Sequence, residues 1–121
     1  MTAPSLMRRA RNTLLRPPSR RHGVIDVVGE GFVLTVRKRE RTVRWADITQ
    51  IDAGIRDYLN FDGLYVHMFV AGVALEIDEL DDGFRQFEAA LFERWPQIRD
   101  PLNSLLAGNP HEPQHKMLWR R

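Results

Sequence analysis

The sequence predicts an α+β domain in which a curved antiparallel sheet of six or seven short strands is covered by one C-terminal amphipathic helix. Residues 24–78 alternate apolar and polar side chains in short runs separated by turn residues, which is the period of half-buried strands. After residue 79 the apolar spacing changes to three and four residues, which is one face of a helix. The residues on this face are Phe84, Phe87, Leu91 and Trp95.

The first part of the strand region predicts a three-stranded meander. "VIDVV" (24–28) is rich in β-branched residues, and "GEG" (29–31) is typical of a turn. "FVLTVRK" (32–38) alternates between two faces. "RER" (39–41) then predicts a polar turn, and "TVRW" (42–45) a short return strand.

The second part adds three more strands. In "DITQIDAGI" (47–55) the apolar spacing slips, which predicts a bend or bulge near Thr49. "LYVHMFV" (64–70) and "VALEID" (73–78) are expected to pair around the Ala-Gly at 71–72.

The helix region carries its own start and stop signals. Asp81 or Asp82 is expected to cap the first turn, where a carboxylate meets free amide groups and the helix dipole. Pro96 ends the helix, and a short second helix ending at Gly108 is an alternative for the segment that follows.

At 121 residues the chain suits one domain with flanking segments. Residues 1–21 predict a basic arm, either a short helix or a disordered segment. Residues 22–108 form the domain, with Trp45 packed under the helix. Residues 109–121 are a tail, and its Trp119 is expected to dock on the same domain.

Composition excludes several classes of site. The chain has no cysteine, which excludes a disulfide framework, a thiolate zinc site and a cysteine nucleophile. No apolar run approaches the ~20 residues of a membrane-spanning helix, and the N-terminus lacks the order of a signal peptide. We therefore expect a cytoplasmic protein.

The net charge of +2 hides an asymmetry along the chain. Residues 1–44 carry a balance of +8, residues 45–94 a balance of −8, and residues 95–121 a balance of +2. Separated charge of this kind can create opposite potentials on two surfaces, unless the strands interleave the two halves.

Five segments carry a resemblance to small bacterial proteins of uncharacterised function. They are "GFVLTV" (31–36), "VRWADITQI" (43–51), "ALEIDELDDGF" (74–84), the Trp-Pro at 95–96 and "LWRR" (118–121). The Val-x-Trp-x-Asp-Ile segment is also similar to one in bacterial pleckstrin-homology-like domains. The resemblance, like the order of elements, implies a pleckstrin-homology-like split barrel, and it faintly implies a toxin-immunity role. A single antiparallel sheet backed by the helix is the alternative.

The acidic run at the strand–helix junction is the first candidate site. It lacks the ligand order of a calcium loop, and no buried setting is evident that would raise one carboxyl pKa for acid–base catalysis. An acidic surface that binds a basic protein, most concretely a bacterial toxin, is the hypothesis that uses it best. The residues of this predicted acidic patch are Asp57, Asp62, Glu76, Asp78, Glu79, Asp81 and Asp82.

A basic hairpin is the alternative site. Its cationic side chains suit an anionic membrane surface, whereas nucleic acid is disfavoured because no aromatic residues interleave with the basic ones to stack bases. A solvated hairpin without a ligand is the simplest interpretation. The residues are Arg37, Lys38, Arg39, Arg41 and Arg44.

No catalytic or metal set emerges from the spacing of the other polar residues. His111 and His115 are four apart, but Pro110 and Pro113 deny them a helix. No cofactor is expected. The sequence therefore predicts a non-enzymatic protein-binding domain, with a membrane-surface or nucleic-acid-binding module as the alternative, and leaves the oligomeric state open.

Overall fold

The computed structural model describes residues 23–57, 62–108 and 114–121, and the side chains of Asp57 and Asp62 lie outside the described part. The predicted arm, residues 1–21, also lies outside it. Within these ranges the chain is α+β, with two antiparallel sheets and two short α-helices. The strands are β1 (Gly23–Val28), β2 (Gly31–Val36), β3 (Arg39–Arg44), β4 (Ile48–Asp57), β5 (Asp62–Val70), β6 (Val73–Asp78) and β7 (His115–Arg120), and the helices are α1 (Phe84–Arg94) and α2 (Arg99–Leu106).

The first sheet has the order β1-β2-β3, and both of its connections are two-residue turns. Alternation places Phe32, Leu34 and Val43 on the inner face, where all three are buried. The side chains between them, such as Thr42, face outward. This sheet is therefore half-buried, as the sequence pattern predicts.

The β2–β3 turn lies two residues earlier than the sequence pattern predicts. Val36 pairs with Arg39, so the turn residues are Arg37 and Lys38 and not residues 39–41. Both have left-handed backbones, with φ of 52° and 66°. Such mirror-image turns match the twist of the flanking strands but usually hold Asn or Gly. Arg and Lys are uncommon in such turns, so the residue types at positions 37 and 38 did not indicate one.

The second sheet has the order β6-β5-β4-β7. The β4–β5 register shifts between Ile48 and Gln50, which confirms the predicted bulge near Thr49. Pairing of Val70 with Val73 confirms the hairpin around residues 71–72. The last strand, β7, comes from the C-terminal tail and pairs with β4 across a separation of about 65 residues.

Among the described residues, the first sheet is joined to the end of the second by backbone hydrogen bonds along β1. Ile25 of β1 donates its backbone N–H to the carbonyl of Asp82 at 2.7 Å, and Asp82 donates to the carbonyl of Gly23 at 3.0 Å. Gly83 then turns with φ 88°, and a Cβ there would lie 2.1 Å from the carbonyl oxygen of Ile25. Among the described strands, no pairing joins β3 to β7, so the sheets do not close into a barrel.

Helix α1 covers the opening between the sheets with the predicted apolar face. Phe87 is fully buried, and its ring centroid lies 5.2 Å from that of Phe32 and 6.2 Å from that of Trp45. Trp45 is 4% exposed, which confirms its place under the helix. Burial of one such aromatic side chain contributes roughly 2–3 kcal/mol, so these rings hold the sheets and helix together.

The prediction of one C-terminal helix alone is wrong, because the short second helix that the sequence offers as an alternative after Pro96 is present as α2. Its residues Leu102, Leu105 and Leu106 are all buried, so it extends the core rather than ending it. The ring centroid of Trp119 in β7 lies 5.2 Å from that of Trp95, which confirms the docking of this side chain on the same domain. Neither described helix is long and apolar enough to cross a bilayer.

We predict that replacing the β2–β3 turn with Arg37→Asn/Lys38→Gly raises the free energy of unfolding by about 1 kcal/mol, since both new residues adopt the left-handed conformation more readily. Urea denaturation measures this change. Ala71→Asn, at φ 51° in the β5–β6 turn, is the charge-neutral control and should stabilise by a smaller amount. A double variant less stable than wild type, beside a stabilised control, would contradict the prediction.

Candidate functional site

Three carboxylates of the predicted acidic patch are buried. Asp78 and Glu79 are fully enclosed and Asp81 is 2% exposed. A side chain in this setting presents no surface to a partner. The structure thus removes these three residues from the contact surface that the sequence predicts.

The buried carboxylates bind backbone amides of neighbouring segments. Asp81 accepts a hydrogen bond from Gly23 N through Oδ1 and one from Asp78 N through Oδ2, both at 2.9 Å. Glu79 Oε1 accepts from Leu64 N at 2.8 Å. Hydrogen bonds to ionised acceptors are the strong ones, and they offset the cost of burying charge. These bonds fix the start of β1 and the beginning of β5 against the end of β6.

The capping prediction for Asp81 and Asp82 is wrong. The N-cap of α1 is Gly83, and no side chain caps it. Asp81 is already engaged by Gly23 and Asp78 on the sheet side, while its backbone carbonyl accepts from Phe84 N at 3.2 Å. The carboxylate that looks like a helix cap in sequence is a link between strands.

The rest of the predicted acidic patch does not form one anionic surface among the described residues. Asp82 is exposed, and Glu76 is engaged by Arg56 and His67. The side chains of Asp57 and Asp62 lie outside the described part, although their backbones pair at the end of the β4–β5 ladder.

Glu76 belongs to a polar network on the outer face of the second sheet. Its carboxylate binds both terminal nitrogens of Arg56, with the Nη2–Oε1 bond at 3.0 Å, and accepts from His67 Nε2 at 3.0 Å. The Arg56 hydrogen bonds, opposed by partial burial and aided by His67, lower the pKa of Glu76 from 4.5 to about 2. The Arg56 guanidinium also lies 4.5 Å from the centre of the Tyr65 ring.

The same network reaches the C-terminal strand through Tyr65. The Tyr65 hydroxyl lies 2.9 Å from His115 Nδ1, and His115 Nε2 lies 2.9 Å from Asp52 Oδ2. Because a carboxylate only accepts, Nε2 donates to Asp52; in the tautomer with its hydrogen on Nε2, Nδ1 accepts the hydrogen bond from the Tyr65 hydroxyl. Gln50 Nε2 donates to the other Asp52 oxygen at 2.8 Å.

The order Tyr–His–Asp resembles a nucleophile with its base and orienting acid, but its position favours a structural role. A Cβ on Gly54 would lie 2.2 Å from the Tyr65 hydroxyl, so the phenol rests directly on the β4 backbone. His115 and Asp52 stand on paired strands. The network therefore fastens β7 to β4. Among the described residues, no group of three or more His, Cys, Asp or Glu side chains is placed to hold a metal ion.

The sequence gives no signal for this network. Asp52 and His115 are 63 residues apart, and the register that joins them depends on a second shift between Ile51 and Asp52. The only available hint is the alternation of Tyr65 and His67 on one strand, which predicts a shared face without indicating its partners.

The five residues of the basic hairpin are all exposed and lie around the β2–β3 turn. Arg39 pairs with Val36 and Arg41 with Leu34, which places both arginines on the inner side of the sheet, beyond the part that α1 covers. An open depression of about 610 Å³ lies there. Its described lining is Leu34, Val36, Arg37, Arg39, Glu40 and Arg41.

This depression combines an apolar floor with a cationic wall. Leu34 and Val36 supply the floor, and the lining also contains three arginines and one glutamate, Glu40. The described salt bridges include none from these arginines to an acidic residue of the chain. The site is chemically suited to an anionic ligand that also offers apolar contact.

Comparison with known proteins gave no match: no family model, no curated protein and no solved structure resembles the chain significantly.

We predict that Asp81→Asn destabilises the fold by about 1–3 kcal/mol, because one buried amide loses its acceptor and the remaining bond loses its charge. Chemical denaturation at pH 7 measures the loss. Asp82→Asn changes the adjacent exposed carboxylate in the same way and should stay within about 0.5 kcal/mol of wild type. Equal effects of the two changes would contradict the buried role of Asp81.

We predict that Glu76→Gln reduces the loss of folding stability that accompanies a fall in pH from 5 to 2. Because the folded-state pKa lies below the ordinary value, ionised Glu76 stabilises the fold above about pH 4.5, and this contribution is lost as the pH falls toward 2. Solvent screening limits it to about 1 kcal/mol or less. Thermal unfolding between pH 5 and pH 2 tests this, with exposed Glu93→Gln as control; a control that reduces this loss equally would refute it.

Proposed function

We propose that this chain is a non-enzymatic protein-binding domain whose contact surface is the basic hairpin. The supporting observation is the cationic depression lined by Arg37, Arg39 and Arg41, which lies open beside an apolar floor. A partner with an acidic surface complements this charge, and complementarity of this kind raises the association rate and selects the partner.

The burial of acidic side chains strengthens the basic character of the surface. Within the described ranges, every buried charged residue is acidic, whereas no lysine or arginine is buried. The negative balance of residues 45–94 is thus largely internal or locally paired, and the positive residues of the hairpin remain in solvent. The buried charged residues are Asp52, Asp78, Glu79, Asp81 and Glu88.

A protein partner fits the hairpin better than nucleic acid or a membrane. No aromatic side chain lies among residues 36–44 to stack a base. The turn residues Arg37 and Lys38 carry no large apolar group for insertion between lipids. An anionic membrane surface is the second candidate, favoured by the exposed pair of cations at the turn, each of which gains ~1 kcal/mol near such a surface.

A toxin-immunity role is the most concrete form of the proposal. If the toxin bound the predicted acidic patch instead, Glu76 and Asp82 would be the described patch carboxylates that reach the surface. The basic hairpin therefore has more support as the surface that contacts the toxin. The domain is proposed to act in the cytoplasm, where a chain without cysteine needs no disulfides. A toxin-encoding reading frame directly upstream is the expected genomic neighbour, and its absence counts against immunity.

The proposal includes a pleckstrin-homology-like origin for the fold. Two antiparallel sheets are joined at the Ile25–Asp82 bridge, and α1 packs Phe87 against Phe32 and Trp45, which supports a split barrel with a covering helix. The strand β7 after α2 departs from the predicted order, in which the helix is the last element.

We predict that a fluorescent polyglutamate peptide binds the wild-type domain and that Arg39→Glu/Arg41→Glu weakens this binding about tenfold or more, since two attractions become repulsions. Fluorescence anisotropy at low and at high salt measures the affinity, which should fall as salt screens the charges.

Arg99→Glu/Arg120→Glu is the matched control, because it changes the net charge equally at exposed arginines of α2 and β7. Loss of binding in both double variants to the same degree would refute a role of the hairpin. Tighter binding of a single-stranded oligonucleotide or of phosphatidylserine vesicles than of the peptide would assign the surface to those partners instead.

A further inference from the structure

The outer edge of β3 has free backbone groups. In the two-residue β2–β3 hairpin, Val36 and Arg39 are the hydrogen-bonded closing pair, so every second residue of β3 bonds to β2. The bond from Trp45 N to Glu30 O at 2.8 Å continues the same sequence of pairs. The N–H and C=O groups of the intervening residues point away from β2. These residues are Glu40, Thr42 and Arg44, and among the described residues none of them bonds to another segment through its backbone.

Two other edges of the sheets are closed in part by hydrogen bonds to neighbouring residues. The edge of β1 bonds to Asp82, as described above. The edge of β6 ends at Asp78, whose N–H is taken by the Asp81 carboxylate and whose carbonyl accepts from Asp81 N at 2.9 Å. Within the described part of the chain, the edge of β3 has no such hydrogen bonds along residues 40–44. An open edge of this kind is a template for one more strand.

The side chains beside this edge determine which strand it accepts. Arg39 and Arg41 project on the inner side, above Leu34 and Val36. A residue that pairs with Arg41 on an added strand would have its Cβ about 4.5–5.5 Å away on the same face. Acidic side chains at alternate positions of the added strand would therefore meet both arginines at the depression.

The same charges exclude two other occupants. A second copy of β3 would place its own Arg39 and Arg41 on the same face as those of the first copy, and this accumulation of like charge disfavours the pair. The arm at residues 1–21 contains six arginines and no acidic residue, so its charge also has the wrong sign. Charge at an edge both prevents self-association and selects a complementary strand.

We propose that β3 binds an extended peptide segment of the partner by strand addition, and that the segment carries Asp or Glu at alternate positions facing Arg39 and Arg41. This inference rests on the proposed function, because it specifies how the partner occupies the basic hairpin. Backbone hydrogen bonds at Glu40, Thr42 and Arg44 supply affinity, and the two arginines supply selection.

Two synthetic peptides test strand addition separately from charge. Both are eight residues long with Glu and Thr alternating, and they carry N-methyl groups on one or the other alternate set of amides. In an added strand only one set faces β3, so one methylated peptide should bind about tenfold more weakly than the unmodified peptide and the other should bind equally well. Isothermal titration calorimetry with the full chain measures all three.

Variants of the domain give the complementary test. The Thr42 N–H points away from β2, so Thr42→Pro should leave the β2–β3 ladder intact and remove a donor that the peptide needs. Thr42→Val retains the donor and is the control. Hydrogen exchange with the unmodified peptide should slow at the amides of residues 40, 42 and 44.

The outcomes separate the two proposals. Equal binding of both methylated peptides, with no change in exchange at residues 40–44, would overturn strand addition while leaving an electrostatic role of the hairpin intact. If Arg39→Glu/Arg41→Glu binds the unmodified peptide as tightly as wild type, the proposed function itself fails. If Thr42→Pro does not fold, the peptide pair alone decides.

Discussion

The hydrogen bonds between the Asp81 carboxylate and the amides of Gly23 and Asp78 hold the two sheets in their relative position. They join the first residue of β1 to the end of β6, just where Asp82 and Gly83 pass alongside β1. The start of α1 is thereby fixed, and with it the placement of Phe87 over Phe32 and Trp45. A buried carboxylate that lost these donors would have to be desolvated without compensation, which is why the junction is sensitive to a single change.

The burial of acidic side chains also affects the charge of the protein surface. Carboxylates accept backbone N–H groups without a partner side chain, so they can be buried at strand ends whose amides need an acceptor. The basic residues around the β2–β3 turn stay exposed. At that turn the backbone is left-handed at Arg37 and Lys38, a conformation that costs about 1 kcal/mol per residue and that Asn or Gly would adopt more cheaply. Two cations at this position are consistent with a role for their charge.

The outer face of the second sheet shows how the C-terminal tail becomes part of the domain. Trp119 docks on the inner side against Trp95, while His115 bonds on the outer side to Asp52 and Tyr65. Contacts on both faces of one strand restrain it more than either would alone. β7 is therefore an integral strand of the second sheet.

The sequence by itself determined the α+β class, most strands, the bulge near Thr49 and the apolar face of α1, because these follow from local periodicity. It also indicated the basic hairpin, since five cations within eight residues stay together in any fold. Only the tertiary structure decided that Asp78, Glu79 and Asp81 turn inward, that the tail supplies a seventh strand, and that His115 reaches Asp52. The physical reason is that a carboxylate run looks the same in sequence whether it faces water or the amides of a distant strand.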